Sequence, residues 1–164
     1  LQRLRSNQRR DYSLSTRNQQ LLATPIRREK IRKHNRISNH EMVELFLLLI
    51  VFQLKHFICD YPLQGTYMLG KLRATNWALP LAAHAAVHAT ATFLIAIWFS
   101  LHLAIILAIA DFILHFTIDR LKASPNYGGR FKPDQPYFWW ALGADQMAHH
   151  FTHYVFIFIL LGAY

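Results

Sequence analysis

The sequence predicts an all-α integral membrane protein: a four-helix transmembrane bundle over residues 41–164, preceded by a basic N-terminal tail over residues 1–40. Three observations predict it. Hydrophobic residues make up 53% of the chain and charged residues 16%, an apolar balance for 164 residues. Four apolar segments, 43–59, 77–99, 101–121 and 137–161, lie at or near the roughly 20 residues that a spanning helix needs, the first a little short. The charge is also segregated. Residues 1–40 hold eleven Lys and Arg against Asp11 and Glu29, a net +9 that equals the formal charge of the whole chain, so the rest balances.

Such a tail has the composition of a segment that is disordered alone. It suits acidic lipid headgroups, or docking onto a protein partner in a larger assembly. Nucleic acid is the least favoured partner, because Tyr12 is the only aromatic residue among the basic ones. The first forty residues carry no apolar run of the signal-peptide kind, and no signal peptide is expected there. Cys59 is the single cysteine, so an internal disulfide and a cysteine-rich zinc site are both excluded.

Segment 43–59 stops at Asp60-Tyr61-Pro62. Segments 77–99 and 101–121 meet around Ser100, which predicts an antiparallel hairpin. The connection 122–136, KASPNYGGRFKPDQP, has the Pro and Gly content of a loop. Tyr137, Phe138, Trp139 and Trp140 open the last segment as an interfacial aromatic cluster. The basic tail favours a cytoplasmic N-terminus. The lysines and arginines of the two longer loops pull the other way, because the opposite hairpin has none.

Ionisable residues inside a membrane are costly and mark candidate sites. Here they recur every four residues, the spacing of one helix face. The first segment ends with His56 and Asp60. The second carries His84 and His88, the third Asp111, His115 and Asp119, with Lys122 beyond. The fourth carries Asp145, His149 and His153, with Gln146 and His150 alongside. Because alternate helices run in opposite directions, all four clusters fall on one side of the membrane, the side of loops 61–76 and 122–136. The expectation is one convergent site opening toward those loops.

Imidazole and carboxylate donors suit a divalent metal, zinc first, with manganese or iron as alternatives. The expected ligands are His56, Asp60, His84, His88, His115, Asp119, Asp145 and His149. Gln64, Asp111, Lys122, Gln146, His150 and His153 are expected to support them. One ion or two fit this set. Lys55, Arg73 and Lys122 lie near the same side and suit an anionic group such as a lipid phosphate. His102 belongs to the opposite edge and is read as structural.

The ordered motifs HxxxDxxxQ (His56, Asp60, Gln64), HxxxH (His84, His88), HxxxDxxK (His115, Asp119, Lys122) and DQxxH (Asp145, Gln146, His149) resemble those of an uncharacterised family. Its members are small polytopic membrane proteins of unknown function from bacteria and their phages. The resemblance spans about residues 43–161 and implies a bacterial inner membrane. A looser similarity is to inner-membrane metal-dependent hydrolases. Three functions follow as expectations: a metal-dependent hydrolase of a lipid or lipid-linked phosphate, a non-enzymatic subunit docked through its tail, and a haem or di-iron redox protein. The carboxylates weigh against haem, which needs only axial ligands.

Overall fold

A computed structural model describes residues 25–162, with side chains described at Glu29 and from Asn39 onward. The tail expectations for residues 1–24 lie outside the described residues. Among the described residues, four α-helices follow one another: α1 (Pro25–Asp60), α2 (Ala78–Ala96), α3 (Leu101–Ala123) and α4 (Pro136–Leu161). Short 3-10 turns at Met68–Leu72 and Gly128–Arg130 interrupt the two longer loops, and no strand occurs among the described residues. The compact unit of residues 45–164 contains the polar cluster and the pockets described below.

Local chemistry accounts for the helix ends. Pro62 cannot extend α1, and Pro80 is tolerated because it sits in the first turn of α2. Ser124 precedes Pro125 and is extended, with ψ 131°, as the proline ring requires, so α3 ends there. Pro136 starts α4 with its φ already set for a helix. The hairpin between α2 and α3 turns around Ser100, as the sequence predicts.

Among the described residues, three helices, α1, α2 and α3, contain a stretch long and apolar enough to cross a membrane, that of α1 being Asn39–Asp60. They mark a membrane protein. Two expectations about the spans change. The first is not short, because α1 continues N-terminal to its apolar segment and offers 22 residues. The fourth helix has the length, 26 residues, but is not among the span-grade stretches. Asp145, Gln146, His149, His150 and His153 lower its hydropathy, while its outward face, with Phe151, Val155 and Phe158, is as greasy as the others.

The outer faces of the apolar helical segments are greasy. Phe46, Ile50, Leu54, Leu94, Ile109 and Ile113 all point outward and are exposed. A patch of this extent would drive a water-soluble protein to aggregate, and suits acyl chains.

The interior divides in two. Toward the α2–α3 hairpin it is hydrocarbon: Leu48, Phe52, Ala96, Ala104, Leu107, Phe156, Ile157 and Leu160 form one cluster. Toward the two longer loops it is polar: His56, His84, His88, Asp111, His115, Asp119, Asp145, His149 and His153 are all buried. Each helix changes from apolar to ionisable along the same inward face, for example Ala104, Leu107, Asp111, His115 and Asp119 on α3.

Candidate metal centre

The four-residue spacing that keeps each stripe on one face also stacks the polar half in layers. The deepest layer is an ion pair. Lys55 Nζ donates to Asp111 Oδ2 at 2.6 Å, and Thr92 Oγ1 donates to the same oxygen at 2.7 Å. His153 Nε2 lies 3.5 Å from Lys55 Nζ, with its ring against Phe52. Lys55 is therefore not placed to hold an external anion, as the sequence reading expects; it is buried under the histidines. Arg73, also expected there, is exposed in the loop.

One turn nearer the loops lies the imidazole layer. Asp60 Oδ1 is 3.2 Å from His88 Nε2 and 3.3 Å from His84 Nε2, and Asp60 Oδ2 is 3.2 Å from His56 Nε2. Asp119 Oδ2 is 3.4 Å from His84 Nε2 and 3.9 Å from His115 Nε2, and its Oδ1 is 4.0 Å from His149 Nε2. Most of these separations are long for charge-assisted hydrogen bonds, which run to about 2.9 Å. They match the edges of a coordination tetrahedron, about 3.4 Å for bonds near 2.1 Å. Two sets bring their donor atoms within 4.8 Å of one another: Asp60, His84, His88 and His115, and then His115, Asp119 and His149. His115 belongs to both.

Hydrogen bonding leaves the layer unsatisfied. Both ring nitrogens of His56, His84 and His115 are buried without a hydrogen-bond partner, as is Nε2 of His149. Buried polar atoms almost always have partners, so such a cluster calls for a ligand. His149 shows the polarity required. Its Nδ1 lies 2.9 Å from the Asp145 carbonyl, which can only accept, so Nδ1 carries the proton. In the neutral ring Nε2 then turns a lone pair toward the Asp119 carboxylate, an arrangement that a cation between them would make favourable.

Charge accounting points to the same place. Four carboxylates line the polar half. Asp111 has Lys55, Asp119 has Lys71 at 2.5 Å, and Asp145 has Lys122 at 2.8 Å. Asp60 is the fourth: it lies against His56, His84 and His88, and Lys122 acts on it only from beyond salt-bridge distance. Asp60 is itself partly exposed, its side chain at 20%, while the imidazoles around it are buried. The Asp60 set could hold a metal ion, whose charge would offset the carboxylate.

The remaining expected residues fall around this layer. Asp145 stands outside both donor sets. It accepts from Lys122 and, at 3.1 Å, from Gln146 Nε2, and its backbone orients His149. His56 also stands outside the sets, although its ring packs within 5.0 Å of His149. His150 is half-buried, 6.0 Å from the His56 ring. His102 is exposed at the hairpin end. Gln64 and Gln146 line a pocket of about 470 Å³ that opens onto the layer from the loop side, together with Asp60, Asp119, Lys71 and Lys122.

Two residues escape the sequence reading. Lys71 counts there only as a loop charge, yet the 3-10 turn carries it inward to Asp119. Gly70 permits this: a Cβ there would lie 2.9 Å from Pro80 Cγ, so the turn packs flush on the start of α2. Thr92 is the other. It continues the stripe of His84 and His88 by one turn, and that spacing was the available signal.

The family model described as a protein of unknown function, DUF3307, matches residues 45–163. No curated protein and no solved structure matches the chain significantly.

Proposed function

The chain belongs to the DUF3307 family of unknown function, and from the geometry above we propose that it is a membrane-embedded, metal-dependent hydrolase acting on a lipid or lipid-linked phosphate. One observation carries the reading: the lysine-free carboxylate, Asp60, sits among three imidazoles at the floor of a pocket whose rim bears Lys71 and Lys122. Asp60, His84, His88 and His115 are the residues that would supply the ligands of a divalent ion, zinc by preference, and a catalytic site would use three of them and leave a position for water. When bound, that ion supplies Lewis acidity and a water nucleophile usable at neutral pH.

The chain's own residues do the rest. Lys71 and Lys122 each keep ammonium protons beyond those given to Asp119 and Asp145, and these meet the phosphate oxygens at the rim. Gln64 and Gln146 offer neutral donors beside them. The surrounding hydrocarbon lowers the dielectric, so each of these contacts is stronger than it would be in water. In the reaction the water oxygen forms a new bond to phosphorus, the ester P–O bond breaks, and a proton passes to the leaving oxygen. The reading includes a bacterial inner membrane and a cytoplasmic N-terminus, supported by the helical spans and the basic first forty residues.

The test is phosphate release from a panel of lipid phosphates by the detergent-purified, zinc-loaded chain. His84→Ala and Asp119→Ala should each lower turnover by at least about a hundredfold, the scale of removing one metal-site group. Turnover unchanged in both variants, or none in the wild type on any lipid phosphate, would end the hydrolase reading.

A further inference from the structure

A second cavity, about 260 Å³, lies between α3 and α4. Its walls are Ile118 and Leu121 from α3 and Ala141, Ala144 and Ala148 from α4. The alanines recur at three and four residues, so they share one helix face and leave a trough where larger side chains would fill it. Lys122 lines this groove and the larger pocket alike, so the two meet at its side chain.

The groove's depth is set by its neighbours. Tyr137, Trp139 and Trp140 open α4 and are exposed, the pattern of an interfacial aromatic belt. Ala141–Ala148 follow within roughly two turns, about 11 Å further along the helix. The groove therefore descends from headgroup level into the acyl region.

Asp145 also lines the groove, and its Oδ2 accepts from Lys122 at 2.8 Å. Lys122 is the one basic side chain of the groove. The ligand that fits has an anionic group for Lys122 and one hydrocarbon chain for the alanine trough. The groove is smaller than the about 300–1,000 Å³ of sites that enclose a drug-sized molecule, which favours a single chain.

We propose that this groove is the chain-binding subsite for a single-chain lipid phosphate. This rests on the hydrolase reading for the position of the phosphate, at the pocket shared through Lys122. The chain subsite makes the protein select amphiphiles over water-soluble phosphate esters.

Binding is measured on the zinc-loaded full chain in nanodiscs, with 1-oleoyl-lysophosphatidate and glycerol 3-phosphate as probes, together with metal content. Ala144 is exposed, so Ala144→Trp fills the trough without entering the interior; Ala148→Leu is a second, smaller block. Each should weaken the oleoyl probe by roughly tenfold or more, the loss from unburying about two methylenes, and leave glycerol 3-phosphate and bound metal unchanged. Equal weakening of both probes, or no weakening of either by both variants, overturns the chain subsite. Selective weakening without any phosphate release supports the subsite and removes the hydrolase reading. Phosphate release that is indifferent to chain and to both variants keeps the hydrolase reading and removes the subsite.

Discussion

Lys55 is a charged residue placed where lipid-spanning helices normally carry none. It is 5% exposed and its ammonium rests on Asp111, which Thr92 also satisfies. Burying such a pair is not in itself stabilising, but removing one partner leaves a buried charge alone. Lys55→Met should therefore lower stability by about 3–5 kcal/mol, and Lys55→Met with Asp111→Leu should recover most of that loss, because no charge is then stranded. Thermal unfolding in detergent checks both; equal loss in the single and double variants would contradict it. This pairing is only half legible in the sequence. The run Asp111, His115, Asp119 shows which face of α3 is inward. Lys55, though, sits beside His56 at the end of an apolar run, the position of a lysine that snorkels to the interface. Its inward turn depends on Asp111 being at the same depth on another helix, and spacing within one segment does not encode that.

Loop contacts fix both rim cations, Lys71 in its 3-10 turn and Lys122 in the last turn of α3. Gly128 packs against Lys122, where a Cβ would meet the Lys122 carbonyl at 2.6 Å, and Gly129 abuts the Ala123 carbonyl in the same way. Gly128→Val should displace the Lys122 backbone. On the hydrolase reading, KM for a lipid phosphate then rises roughly tenfold while kcat changes less, since binding rather than chemistry is disturbed. A fall in kcat with unchanged KM would argue instead that Lys122 acts on the reacting atoms. The helices themselves were readable because every stripe repeats at four. The loops were not: Lys71 reaches Asp119 only through the 3-10 turn and the Gly70–Pro80 contact, neither of which has a period. Helix α4 shows the reverse difficulty. Its length promised a span, but the stripe that makes it useful also lowers its hydropathy below the span-grade level.

Across the molecule, hydrocarbon covers the outside and half of the inside, and the ionisable groups gather in the other half. That one-sidedness was legible from the sequence, since antiparallel helices bring alternating ends together. What the sequence did not reveal was the charge balance within the site. Three of the four carboxylates have a lysine each, and the fourth, Asp60, faces imidazoles. Eight ligands of equal standing were expected, whereas the geometry separates Asp60, His84, His88 and His115 from Asp145, which is tied to Lys122 and Gln146. A divalent ion at Asp60 would complete the compensation. The most direct measurement is the metal content of the detergent-purified full chain and of Asp60→Asn, by elemental analysis after dialysis against zinc. About one tightly held equivalent is expected in the wild type and its loss in Asp60→Asn, since the donor atoms are brought together only in the folded protein. A wild type that retains no metal, or an Asp60→Asn protein that retains as much as the wild type, would contradict the assignment of Asp60 as the carboxylate whose counter-charge is a metal ion.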